Sequence, residues 1–421
     1  MSLRQGRQFL AIPGPTNMPD EVLGAMHRPA VDIYSGGLPA ITESCLRDLK
    51  ASFCTSGHTF IFAANGHGAW DAALSNVLSR GERILVLESG RFAPAWGDAA
   101  AKMGIAVEVL PGDERRAVDP AALAARLQQD LTQGTVARFK AILVVQVDTA
   151  SGVVNDIAAL RKAIDDSGHD ALFLVDVIAS LGCMPFEMDA WGVDVAVAGS
   201  QKGLMTPPGL SFHGVSEKAM AAHETADLST HYWDWSAREG VEHYQKYCGT
   251  PPEHLLFALR QALDMLMAEG FESIHQRHAL LAEATRRAVL QWGGKGDALA
   301  LNIIEPGERA NSVTTVLLEE RHSVPLLDYC DANCNVVLGI GIGNLAGRAI
   351  RIAHMGYINA PMLLGTLGVV EMGLQALAIP HEKGGLQAAA DYLAQAVPVE
   401  RKMSAENVAA DKPPCRKTCC C

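Results

Sequence analysis

The sequence predicts an α/β protein, with a large, doubly wound, mainly parallel sheet domain followed by a smaller α+β domain. Three features carry this expectation. Short apolar runs alternate with amphipathic stretches from about residue 58 to 200, long helical periodicity begins near residue 253, and short mixed elements follow from residue 312. Strands covered on both faces lose the in–out alternation of a half-exposed sheet and read as nearly unbroken apolar runs.

Taken in order, HTFIFAA (58–64) reads as a strand and GAWDAALSNVL (68–78) as an amphipathic helix. A strand at 83–89 is followed by a helix at 93–104, then a strand at 106–111 and a helix at 119–131. Strands at 140–147, 171–177 and 193–200 complete the series, with a helix at 156–168. Apolar residues at three- and four-residue spacing predict one long helical stretch over 253–293. Beyond it come strands at 312–318, 335–341 and 349–356, a helix around 324–333 and a last helix near 361–377. The boundaries are placed at 1–280 for an N-terminal arm plus the large domain, 281–396 for the small domain, and 397–421 for a tail.

Composition narrows the function. The chain has 421 residues, 49% of them hydrophobic and 19% charged, which suits a globular protein with two or three units. Its formal net charge is −12 and it has no Lys/Arg block, so nucleic acid is not the expected partner. No apolar run approaches the about 18 residues needed to cross a bilayer, and no membrane association is expected. Six of the ten cysteines are scattered without zinc spacing, which points to reduced thiols in the cytoplasm and to no bound metal. The other four lie in the terminal KPPCRKTCCC, which lacks a prenylation motif because Thr418 is fourth from the end.

The segment 172–209 carries the chemistry. Asp176 closes one apolar strand, and Lys202 follows another. In a parallel sheet the carboxyl ends of the strands face the ligand crevice, so both side chains can enter one pocket. Taken singly, Asp176 reads as a turn cap and Lys202 as a surface lysine. Together, with Ser200-Gln201-Lys202-Gly203 and Thr206-Pro207-Pro208-Gly209 shaping a loop, they suit pyridoxal 5'-phosphate. The lysine would carry the cofactor as a Schiff base, and the carboxylate would keep the pyridine nitrogen protonated.

Asn65-Gly66-His67-Gly68, between a strand and a helix, offers backbone N–H groups and a helix N-terminus to a phosphate, although such turns are common. Arg351 lies in a strand and faces opposite to Ile350 and Ile352. It reads as a surface ion-pair partner or, if its face meets the cleft, as a fork for a substrate carboxylate. Gly341-Ile342-Gly343-Asn344-Leu345-Ala346 mimics a dinucleotide fingerprint, but a strand rather than a helix is expected after it. Cys330 and Cys334 read as half-buried helix residues rather than sulfur-transfer nucleophiles.

The segments VDVIASLG and DVAVAGSQKGLMTPPGL, with FLAIPGPTNMP, QVDTASGV and RIAHMG, resemble the class V aminotransferases of fold type I. The likeness spans residues 9–380 and is strongest to the serine–glyoxylate and alanine–glyoxylate types. It implies Lys202 as Schiff-base lysine and proton shuttle, Asp176 at the ring nitrogen, Ile178 beneath the ring and Phe92 stacked on it. It also implies Asn65, Gly66, His67 and Gln201 at the phosphate, Thr149 near the ring hydroxyl, and Arg351 at the substrate carboxylate. Tyr247 and Thr250 would reach the phosphate from a neighbouring subunit, which implies a homodimer with shared active sites. Two positions depart from the pattern: Asp32-Ile33-Tyr34 stands where Asp-His-Arg is frequent, and Asn65 where Ser or Thr is common. The implied reaction moves an amino group from serine, alanine or aspartate to glyoxylate or another small 2-oxo acid. A lyase or desulfurase of the same fold, and a binding protein without cofactor, are the alternatives.

Overall fold

The computed structural model describes residues 3–294 and 299–397. Its larger sheet has seven strands in the order His58–Phe62, Ser211–Val215, Val195–Gly199, Leu172–Asp176, Phe139–Val145, Arg83–Leu87, Ala106–Leu110. The five strands from Val195–Gly199 to Ala106–Leu110 pair in parallel. Helices between them cover both faces in two apolar layers, one around Phe173 and Phe212 and the other around Trp70 and Leu174. Side-chain oxygens of Asn65, Asp119 and Asp156 cap three of these helices, taking N–H groups that have no acceptor within the helix.

Ser211–Val215 is absent from the expected list. It runs antiparallel to both neighbours and reverses the chain between Val195–Gly199 and the edge strand His58–Phe62. Its apolar pattern is interrupted by His213, which is fully buried. That imidazole is satisfied on both sides, by the Ala69 carbonyl at 2.9 Å and the Trp235 indole N–H at 3.2 Å. Burial pushes its pKa down to about 3, so it sits in the core as a neutral ring.

The smaller sheet has the order Phe9–Ala11, Val336–Ile340, Ala349–Ala353, Val313–Leu318, Leu299–Leu301. Phe9–Ala11, grouped with the large unit on sequence, instead joins this sheet in parallel with Val336–Ile340. The expected single helix over 253–293 is two, Glu253–Glu269 and Phe271–Gly293, because Gly270 turns the chain at φ 81° and ψ 136°. In the second of these, Ile274 packs in the core of the large sheet and Leu281 in that of the small one. One rigid helix therefore joins both cores. A further helix, Gly385–Ala396, packs on it, and its first N–H groups are tied by Glu371, which accepts from Gly384 and Leu386 at 2.9 and 2.8 Å.

The Gly341–Ala346 segment holds a 3₁₀ turn between two antiparallel strands and has no nucleotide-binding helix after it. A hairpin, Val147–Asp148 with Val153–Val154, fastens the sheets together. Its loop carbonyls at Thr149, Ala150, Ser151 and Gly152 accept from Arg351, Thr315, Asn302 and Ala310 at 2.8–3.1 Å. Among the described residues no helix is long and apolar enough to cross a membrane. The four terminal cysteines, and the tail reading from residue 398 onward, lie outside the described residues.

Gly270→Ala is expected to lower stability by about 1–3 kcal/mol, because an L side chain there occupies glycine-only backbone space. Chemical denaturation of the purified protein measures this loss.

Candidate active site

A cavity of about 170 Å³ opens at the carboxyl ends of the parallel strands, where the crevice of such a sheet is expected. Asp176, Lys202, Asn65, Gly66, His67, Phe92, Thr149, Ile178 and Gln201 all line it.

Asp176 is the last residue of its strand and is 3% exposed. Its Oδ1 accepts the Ile178 N–H and its Oδ2 the Trp70 indole N–H, both at 2.7 Å. Burial nevertheless pushes its carboxyl up to about 7. Lys202 stands in a turn closed by Ser200, whose Oγ donates to the Pro207 carbonyl at 2.6 Å, and by Thr206, whose Oγ1 donates to the Ser200 carbonyl at 2.9 Å. Thr16 adds a bond from its Oγ1 to the Lys202 carbonyl at 3.0 Å, and Lys202 Nζ donates to the Pro13 carbonyl. Burial, with the nearby positive charge of Arg351, brings the ammonium down to about 8. No ion pair forms directly between Asp176 and Lys202, so each remains available to something between them.

The helix Gly66–Val77 begins at the cavity, with Asn65 Oδ1 taking the Gly68 N–H at 3.2 Å. The N–H groups of Gly66 and His67 have no acceptor inside the helix. A Cβ on Gly66 would meet Ile178 Cδ1 at 2.5 Å, so any larger residue here makes the end of the isoleucine side chain shift. Phe92 opens another helix, and its N–H is held by Asp148 Oδ2 at 2.7 Å. Asp148 also accepts from Ala150 at 2.8 Å and from Ser151 at 3.3 Å, which sets Thr149 in the cavity wall.

Arg351 lies in the central strand of the smaller sheet, opposite Thr315 and Gly339. It does not line the cavity itself. Its Nη1 donates to the carbonyl of Thr149 at 2.9 Å and its Nε to Ile340 at 2.7 Å, so it stands directly behind the wall. Burial lowers its pKa to about 10, and among the described residues no carboxylate lies within ion-pair distance. Its Nη2 bonds to none of them, so the fork keeps a donor for an incoming carboxylate.

Tyr247 and Thr250 do not reach this cavity within one protomer. Tyr247 is 2% exposed with its hydroxyl 2.8 Å from Thr42 Oγ1, and Thr250 is exposed on the surface. Cys330 is buried and Cys334 half-buried on the helix Glu320–Cys334, away from the cavity.

Trp70, Asp148 and the Pro13–Gly14 turn were missed by the sequence reading. Trp70 lies one turn beyond Gly66, so a helix starting at Asn65 turns both toward one side; that spacing was the available signal. Asp148 and Pro13 stand inside QVDTASGV and FLAIPGPTNMP, which carry the resemblance, but the sequence assigns neither a role, because their bonds to Phe92 and Lys202 depend on chain packed from elsewhere.

The cavity fits pyridoxal phosphate on its own chemistry. The buried Gln201 amide oxygen has no hydrogen-bond partner among the described residues, and an amide can turn over to present donor or acceptor to a ligand. A helix N-terminus suits a phosphate, burial outweighs the groups that favour the ionised Asp176 carboxyl, and the Lys202 amine is brought toward neutrality.

A family model for class V aminotransferases matches residues 12–344. The serine–glyoxylate aminotransferase of Methylorubrum extorquens is 39% identical over 93% of this chain and 97% of its own length. The L-aspartate–glyoxylate aminotransferase of Paracoccus denitrificans is 34% identical over 94% of this chain and 98% of its own. The solved structure of an alanine–glyoxylate aminotransferase from Nostoc sp. superposes with a TM-score of 0.79 at 26% identity, covering 88% of this chain and 96% of that one.

Gly66→Ala is expected to weaken pyridoxal-phosphate binding about tenfold or more, because the added methyl displaces Ile178 into the cavity. Titration of the apoprotein followed by absorbance measures it; unchanged affinity would show that Ile178 has room to retreat.

Proposed function

The chain belongs to the class V aminotransferases, which are pyridoxal-phosphate enzymes, and on that premise we propose that it moves an amino group from serine, alanine or aspartate to glyoxylate. The observation that carries the reading is the meeting of Asp176 and Lys202 on one buried cavity, with the carboxylate-free Arg351 behind its wall. The relatives named for glyoxylate, at 39% and 34% identity over nearly the whole chain, support the acceptor.

Pyridoxal phosphate, when bound, supplies an electron sink for negative charge at the α-carbon of the amino acid. Of the residues that line the cavity, Asp176 would keep the ring nitrogen protonated, and Ile178, Phe92 and Thr149 would hold the ring. Asn65, Gly66, His67 and Gln201 would hold the phosphate. Arg351 takes the α-carboxylate of donor and acceptor alike, so both present their reacting carbon at one place. Lys202 Nζ would hold the cofactor by its amine and, once released, would act as the base that takes up and returns the α-proton of donor and acceptor. A base positioned in this way contributes about 10²–10⁴-fold. In a homodimer, surface-exposed Thr250 would serve the phosphate of a partner protomer, and Tyr247 would join it by exchanging the bond of its hydroxyl to Thr42 for one to the phosphate. The six free thiols of the described residues support a cytoplasmic setting.

The test offers serine, alanine and aspartate with glyoxylate to the purified protein. Glycine formation with ping-pong kinetics is expected, and Arg351→Lys should raise KM for the donor about tenfold, since an ammonium cannot replace the guanidinium fork. Sulfide release from cysteine without glycine formation would turn the assignment to a lyase.

The amine of Lys202 must be neutral to react with the cofactor aldehyde. Because burial brings it down to about 8, chromophore formation by the apoprotein should accelerate with rising pH and level off above pH 8. Stopped-flow absorbance from pH 6.5 to 9.5 reads the midpoint; continued acceleration toward pH 10 would mean that the amine is solvated.

A further inference from the structure

Trp70 touches Asp176 and has no part in the mechanism above. It lies on the helix Gly66–Val77, is 2% exposed and lines the cavity. Each oxygen of Asp176 has one donor from this chain, the Ile178 N–H on Oδ1 and the Trp70 indole N–H on Oδ2. Two donors on opposite oxygens fix the rotation of the carboxylate plane. The indole is itself pinned, stacked on Trp96 at 5.8 Å and 16° and tilted against His67 at 4.5 Å. Trp96, by contrast, does not line the cavity, and its Nε1 has no hydrogen-bond partner among the described residues.

We propose that Trp70 is a positioning residue whose indole N–H holds the Asp176 carboxylate ionised and oriented toward the ring nitrogen of pyridoxal phosphate. The inference rests on the pyridoxal-phosphate reading and deepens it. Burial drives the Asp176 carboxyl toward its protonated form. The Ile178 and Trp70 N–H groups and then the Lys202 charge oppose that drive, and the Asp148 carboxylate adds to it. Neither charged group is altered by a change at position 70. Without the indole N–H, the acid takes a proton at a higher pH and no longer offers a full negative charge to a protonated pyridine. If Trp70 merely filled space, Trp96, stacked against it, would matter in the same way.

The experiment compares Trp70→Phe with Trp96→Phe, measuring pyridoxal-phosphate affinity of the apoproteins by absorbance from pH 6 to 9. Trp70→Phe is expected to bind about tenfold more weakly near neutral pH, the effect of losing a hydrogen bond to a charged group. Its affinity should recover as pH rises, with a midpoint about one unit above that of the wild type. Loss of kcat with KM for the amino donor unchanged should accompany it, whereas Trp96→Phe keeps the wild-type midpoint. A Trp70→Phe protein with wild-type affinity and midpoint overturns the proposal, as does an equal shift in both variants. Should Trp70→Phe not fold, Trp70→His, which keeps a ring N–H, is expected to keep the wild-type midpoint, and a shift of a full unit there overturns it. A wild-type protein that forms no chromophore is a different failure, that of the cofactor reading, and it shows before any variant is made.

Discussion

A carboxyl and an amine are removed from water at the same cavity without being allowed to neutralise one another. Taking either ion out of water costs several kcal/mol, and a direct pair would recover much of it. Here Asp176 takes its hydrogen bonds from Ile178 and Trp70, and Lys202 gives its own to the carbonyl of Pro13. Each group is thus left near its titration point, the acid pushed up to about 7 and the amine down to about 8. A site tuned in this way favours a ligand that is cationic at one end and accepts an amine at the other.

Part of the remaining architecture sets where the amine stands. The loop Ser200–Pro208 is closed by its own hydrogen bonds, which fix the backbone that carries Lys202. The N-terminal turn covers the amine, and Gly14 is obligatory there, because a Cβ would meet Lys202 Cε at 2.7 Å and φ is 110°. Behind this turn, buried His278 accepts the Gly356 N–H at 3.1 Å through Nε2 and donates to the Ile274 carbonyl at 2.7 Å through Nδ1. These partners assign its neutral tautomer, in keeping with a pKa that burial lowers to about 3.

The hairpin 147–154 carries a second constraint. Asp148 is fully buried and meets three backbone N–H groups from two segments, one of them that of Phe92. The loop it shapes is the surface on which Arg351 and Thr315 of the smaller sheet dock. The aromatic of the large sheet and the arginine of the small one are therefore placed by a single short segment.

The sequence by itself determined the parallel core, since apolar runs flanked by helices have few other ways to bury both faces, and the strand ends then put Asp176 and Lys202 on one edge. It also determined the glycine turn before the helix Gly66–Val77, because local chemistry sets a helix start. It left the antiparallel strand Ser211–Val215 unseen, since His213 looks polar until Ala69 and Trp235 satisfy it in the core. Only the tertiary structure decided that Phe9–Ala11 joins the far sheet, that Gly270 divides one helical pattern in two, and that Arg351 stands behind Thr149. It also decided the roles of Trp70 and Asp148. Periodicity reports which face of an element is buried, whereas a hydrogen bond between residues 106 or 56 positions apart depends on how distant elements pack, and that has no local signature.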